Sequence, residues 1–236
     1  MTRPLLLLTR PAEEIDASRT AAERAGFDTL AAPLLRVEAL EWAAPAHLPD
    51  AILFTSARAP ALAAERAPGF RAVPTYAVGP RTAAAARSAG FALAGAGEAD
   101  GSSILAAMAG EGRREILHLS GTDTAPLVLP EGVSLTRVSV YAARLIDELP
   151  ARAVAVLRDG TCFATLLFSP RTAGQFRKLI SDEAIAPDGQ RIVALSDAVA
   201  AASGEGWRDL AVAAVPTLDA ALAAALSLWQ GSRHGR

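Results

Sequence analysis

A short block of this sequence occurs twice. Ile52-Leu53-Phe54-Thr55-Ser56 returns as Leu166-Leu167-Phe168-Ser169-Pro170, 113 residues on when counted from Ser56 to Ser169. Ala77-Val78-Gly79-Pro80 is echoed by Ala194-Leu195-Ser196-Asp197 at an offset of 117, and Gly90 by Gly206 at 116, each glycine read as closing a helix. A repeat near half of 236 residues predicts two similar domains, whereas a solenoid would repeat every ~20–50 residues. Each copy runs from an apolar stretch through a turn of Ser, Thr, Gly or Pro into an Ala-rich helical stretch. That alternation predicts an α/β fold with parallel sheets.

The remaining elements follow the same scheme. The leucines Leu5 to Leu8 form a strand, and Pro11 with Glu13 and Glu14 opens a helix that ends at Gly26, as the dipole and the C-cap glycine favour. Further strands are expected over 29–37, 51–55, 75–78, 91–93, 116–119, 135–141, 161–168, 191–195 and 210–215. A final helix is expected over 218–228. The opening strand-helix-strand has no counterpart at the head of the second copy. Its nearest equivalent closes the first copy, at residues 116–141, so one domain is expected to be inserted in the other. The expected boundaries are residues 1–35 with 146–236 for the discontinuous domain and 38–140 for the inserted one. Two linker strands, 36–37 and 141–145, join them. Each domain then holds a doubly wound sheet of five strands.

Composition narrows the function. The chain is 51% hydrophobic and 20% charged with a net charge of −2, which suits a folded core and not a general nucleic-acid binder. Leu5 to Leu8 fall short of a signal-peptide h-region. The C-terminal apolar stretch is interrupted by Pro216 and Asp219 and falls short of a membrane span. A cytoplasmic protein is expected. The single cysteine, Cys162, is expected to be buried and excludes an internal disulfide. The histidines show no ligand spacing, so no metal is expected, and His118 is read as a core residue. Gly95-Ala96-Gly97 begins a GxG pattern, but Asp100 stands where the third glycine would be and no dinucleotide site is expected.

Chemistry in such folds gathers at the carboxyl ends of strands. Four loops there share a vocabulary: Thr9-Arg10-Pro11, Thr55-Ser56-Ala57-Arg58, Gly79-Pro80-Arg81-Thr82 and Ser169-Pro170-Arg171-Thr172. Each sets an arginine beside small or hydroxyl residues where unpaired backbone N–H groups at a helix start attract anions. Facing each other across a cleft, the loops would hold a sizeable polyanion. The same hydroxyls are also ordinary N-caps that need no ligand. Tyr141, at a proposed crossing between domains, is read either as a proton donor or as a wedge that packs the hinge.

These residues resemble the uroporphyrinogen-III synthase family over nearly the whole chain. The likeness is carried by Leu7-Leu8-Thr9-Arg10-Pro11, Phe54-Thr55-Ser56, the run Val78 to Ala83, Val138-Ser139-Val140-Tyr141, Phe168-Ser169-Pro170 and Pro216-Thr217-Leu218. Each is short; their order and spacing make the combination specific. The resemblance implies two flavodoxin-like domains, one inserted in the other, joined by a two-stranded linker with a cleft between. It implies cyclisation of hydroxymethylbilane to uroporphyrinogen III, with inversion of ring D and loss of water, by a lyase without cofactor or metal. Tyr141 then matches the catalytic tyrosine. Thr9, Arg10, Thr55, Ser56, Arg58, Gly79, Arg81, Thr82, Ser169, Arg171 and Ser196 would contact the eight substrate carboxylates.

Two departures from the family pattern stand out. Ser196-Asp197-Ala198-Val199 replaces a Gly-Pro-Thr-Thr-like turn, and Thr122 to Leu129 lacks the usual basic residue and is expected to hold only a short helix. The implied partners are the small-molecule substrate and, transiently, the deaminase that makes it. No nucleic acid or membrane partner is expected, and the chain is expected to be a monomer. The competing reading is a non-catalytic two-domain sensor of a polycarboxylate metabolite.

Overall fold

Four consecutive leucines are the signature of a strand covered on both faces, and β1 (Leu5–Leu8) is that strand, with Leu6, Leu7 and Leu8 fully buried. The computed structural model describes residues 3–97 and 100–234. Helix α1 (Ala12–Arg24) follows, with Pro11 at the N-cap and Glu13 and Glu14 in its first turn. Gly26, at φ +92° just past its end, takes the left-handed turn into β2 (Asp28–Ala31). The expected strand over 29–37 is two strands. Pro33, which has no N–H to give a ladder, separates β2 from β3 (Leu35–Ala39), and the two belong to different sheets.

The chain then builds β4 (Ala51–Phe54), α2 (Ala59–Arg66), β5 (Thr75–Val78), α3 (Pro80–Ser88), β6 (Leu93–Gly97), α4 (Gly101–Gly110), β7 (Glu115–Gly121) and β8 (Ser134–Leu145). Returning, it forms α5 (Ala151–Arg158), β9 (Cys162–Leu167), α6 (Pro170–Asp182), β10 (Arg191–Ala194), α7 (Asp197–Ser203), β11 (Asp209–Val212) and α8 (Leu218–His234). No helix forms over 122–129, where Pro126 stands and Pro130 follows. The strand expected over 91–93 starts later and runs through Gly95 and Gly97. A Cβ on Gly95 would lie 2.8 Å from the Tyr76 ring, so this glycine serves ring packing. Gly204, not Gly206, caps α7. The last strand stops at Val212, short of the expected 215, and α8 runs on past the expected 228.

The described residues fall into two compact units. Unit 1 is the chain up to Arg36 and from Arg144 onward. Its five strands lie in the order β11-β10-β9-β1-β2, and the registers between neighbours are parallel. One face packs Leu7, Phe176, Leu179 and Ile192; the other packs Leu6, Phe27, Leu166 and Leu222.

Unit 2 is Val37–Ala143, with strand order β3-β8-β7-β4-β5-β6. From β8 to β6 its pairings are parallel. Its faces pack Phe54, Phe91, Leu117 and Leu119 on the α2 side and Leu53, Leu105, Met108 and Ile116 on the α4 side. Strand β3 runs against β8, since Leu40 N–H donates to Val140 O at 3.0 Å and Ile146 N–H to Leu34 O at 3.1 Å. The chain thus leaves and re-enters unit 1 along one antiparallel pair.

Candidate active site

Lateral strand order reverses once in unit 2, between β4, which leads on to β5 and β6, and β7, which leads to β8. Connections leaving two neighbouring strands in opposite directions open a crevice at their carboxyl ends. A cavity of about 320 Å³ lies there, lined by Thr55, Ser56, Asp100, Gly121, Asp123 and Tyr141, with Val78 and Leu127 adding apolar wall.

Strand β8 delivers Tyr141. The register between β7 and β8 shifts between Ser120 and Gly121, which leaves Gly121 opposite Tyr141; such bulges re-aim side chains. A Cβ on Gly121 would sit 2.7 Å from the tyrosine's Cε2 and Cζ, so only glycine lets the ring lie where it does. The ring is buried and its hydroxyl donates to Ser56 Oγ at 2.9 Å. Ser56 Oγ also accepts from the Arg58 backbone N–H at 3.3 Å. With its lone pairs so engaged, the Ser56 proton is available to another acceptor.

Thr55 stands at the end of β4. Its Oγ1 lies 2.9 Å from Nε2 of His118, a fully buried residue of β7. Burial, with Arg137 on the neighbouring strand as the lesser cause, pushes the imidazole down to about 4, so it is neutral near pH 7. Asp100 caps α4 by accepting from Ser103 N–H at 2.9 Å. That backbone bond holds its carboxyl below the ordinary range, which keeps it ionised. The cavity wall is thus hydroxyl-rich and carries two carboxylates.

The other residues read from the sequence occupy strand ends elsewhere. In unit 2, Gly79 forms the N-cap of α3 at φ +80°, Arg81 is exposed on the first turn, Thr82 is buried and Arg58 is half-buried. In unit 1 the reversal falls between β1 and β9. Thr9 is buried and donates to Leu166 O at 2.5 Å. The Arg10 guanidinium bonds Glu14 at 2.7 Å and lies 4.3 Å from the Phe168 ring centre. Ser169 caps α6, accepting from Thr172 N–H at 3.2 Å, and Ser196 caps α7 through Val199 N–H at 3.4 Å. Arg171 is exposed on the first turn of α6.

Sequence reasoning missed Gly121, Asp100, Asp123 and the pairing of His118 with Thr55. Asp100 ahead of a helix carried an N-cap signal. The bulge at Gly121 had none. A larger, more open depression of about 1610 Å³ lies at the opposite, amino ends of the unit 1 strands, lined by Phe163, Arg191, Asp209 and Trp229 among others. Its Arg191 is committed to Asp209 at 2.7 Å, and it lies away from the strand ends where such sheets bind ligands.

Two α/β units, one of them discontinuous in sequence, with a hydroxyl-lined crevice at a strand-order reversal of the other, define a class of doubly wound α/β proteins. Known proteins specify the class further. The sequence profile of uroporphyrinogen-III synthase HemD matches residues 16–223. The chain belongs to the uroporphyrinogen-III synthase family, whose enzymes are lyases that cyclise hydroxymethylbilane in porphyrin biosynthesis. The fold is shared with the crystal structure of uroporphyrinogen-III synthetase from Helicobacter pylori. That structure is 17% identical with a TM-score of 0.62, over 96% of this chain and 100% of that one. A mutant uroporphyrinogen III synthase from the extremely thermophilic bacterium Thermus thermophilus aligns at 17% identity and a TM-score of 0.48, over 97% of this chain and 99% of that one. No curated protein matches the chain in sequence.

Proposed function

We propose that this chain performs the family's reaction at the unit 2 crevice. Hydroxymethylbilane loses its terminal hydroxyl as water, and the resulting azafulvene carbon bonds the substituted α-carbon of ring D. The bond from that carbon to its original bridging methylene then breaks, and the released methylene re-bonds at the free α-carbon of ring D to give uroporphyrinogen III with that ring inverted. The observation that carries this reading is the meeting of Tyr141, Ser56 and Thr55 around one cavity at the strand-order reversal. Tyr141 gives its proton to the departing hydroxyl oxygen, the C–O bond breaks, and water leaves. The originally free α-carbon of ring D loses its one proton after the methylene re-bonds there, so the charge balances. The two carboxylates favour the cationic azafulvene and the pyrrole N–H groups over the substrate's own carboxylates. Those carboxylates are assigned to the strand-end hydroxyls, backbone N–H groups and arginines of the same unit: Arg58, Gly79, Arg81 and Thr82. Holding the flexible bilane folded is the larger part of the catalysis.

The reading extends to a cytoplasmic monomer that receives its substrate from a deaminase, with linker strands at 36–37 and 141–145. Among the described residues no helix is long and apolar enough to cross a membrane. No observation favours a purely sensory role. The test supplies porphobilinogen and a hydroxymethylbilane-forming deaminase, then oxidises and separates the products. Isomer III that depends on this protein is expected; isomer I alone, the spontaneous product, would overturn the reading.

A further inference from the structure

His118 is a fully buried polar side chain in an interior strand of a sheet, hydrogen-bonded on one side only. Nε2 meets Thr55 Oγ1 at 2.9 Å, while Nδ1 is buried without a partner. A neutral imidazole carries one N–H, and its position decides what Thr55 can do. With the proton on Nδ1, a buried donor would be orphaned, and Thr55 would spend its own proton on Nε2. With the proton on Nε2, the orphan is an acceptor, which folded proteins tolerate better than an orphaned N–H. Thr55 then accepts from His118 and keeps its proton for something else.

Sterics define where that proton can go. A Cβ on Gly101 would lie 3.4 Å from Thr55 Cγ2, so the methyl points at the start of α4 while Oγ1 points at His118. The remaining open direction is the cavity that Thr55 lines. We propose that His118 is a positioning residue that holds the Thr55 hydroxyl as a hydrogen-bond donor into the crevice, toward an oxygen acceptor of the substrate. The low affinity of the buried ring for a second proton keeps this arrangement in place near neutral pH. The substrate half of the proposal rests on the cyclisation reading; the hydrogen-bond half does not.

The experiment has two arms. Long-range proton–nitrogen NMR of the full chain, with His118 assigned by its loss in H118Q, reads the tautomer directly. Nε2–H is expected, and Nδ1–H would overturn the proposal whatever the activity. Kinetics of T55V, H118L, H118Q and T55V/H118L follow, with thermal melts confirming the fold. H118L is expected to lower kcat/KM about tenfold, the scale of one productive hydrogen bond. The double variant should fall no further than T55V, and H118Q, whose amide can donate from the same place, should recover most of the H118L loss. Losses that multiply in the double variant, or a wild-type rate in H118L, would overturn it. Should H118L fail to fold, H118Q against T55V/H118Q decides by the same criterion. A wild type making only isomer I would defeat the cyclisation reading and remove the substrate half, while the NMR arm would still decide the hydrogen bond.

Discussion

At the scale of single residues, the crevice depends on a few contacts that a conservative change can break. Tyr141→Phe keeps the ring on Gly121 and removes only the hydroxyl and its bond to Ser56. Turnover should fall by roughly the 10²–10⁴-fold typical of a general acid, with an unchanged melting curve; a near-normal rate would leave Tyr141 as a packing residue. His118 offers a second test, through stability. Its ring is pushed from 6.5 down to about 4 in the folded protein, so the unfolded chain takes up a proton first as pH falls. The neutral ring's contribution is intact above about pH 6.5 and is lost progressively down to about pH 4. The total is about 3 kcal/mol by linkage. Denaturant melts across that window should show a steeper decline for wild type than for H118Q, and parallel curves would contradict the assignment.

Secondary-structure elements show why the recurring loops admit two readings from sequence. Ser169 and Ser196 both sit at N-caps, with their hydroxyls on backbone N–H groups three residues on. Capping and ligand binding make use of the same helix-start geometry, so residue type alone does not separate them. Ser169→Ala should cost about 1 kcal/mol, or about 2–4 °C in Tm for a chain of this size. A larger drop in kcat/KM than in stability would assign it a substrate contact as well. Strand placement was legible where apolar runs met a turn, as at β4 and β9. It failed at Pro33, where one apolar stretch serves two sheets, and at Gly95-Ala96-Gly97. There a strand could be occupied by glycines because the Tyr76 ring covers Gly95 and the Ile104 side chain covers Gly97.

For the molecule as a whole, the apolar clusters obey the division into units. Each cluster of buried residues draws on one unit only. Unit 1 therefore closes its own core around a complete five-stranded sheet. Replacing Val37–Ala143 by a short Gly-Ser turn joins two strands already paired through Leu34 and Ile146. The shortened chain should fold with a single cooperative melt. Cys162 supplies a second probe: burial pushes its thiol up to about 12, and it should stay inert to thiol reagents until the protein unfolds. Early labelling would show that unit 1 needs unit 2 to form.

The sequence by itself determined the alternation of strand and helix and the α/β class, because hydrophobic periodicity, caps and turn residues act over a few neighbours. It also determined the family, through short motifs kept in order along the chain. Only the tertiary structure decided which strand ends become a crevice. That depends on the lateral order of β4 and β7, strands far apart in sequence, and on a bulge that places the Tyr141 ring on Gly121. It also decided that His118 meets Thr55, since a residue in one strand reaches a residue in the next only through register. Pairing across a sheet is set by packing of the whole core, and no local stretch of sequence carries it.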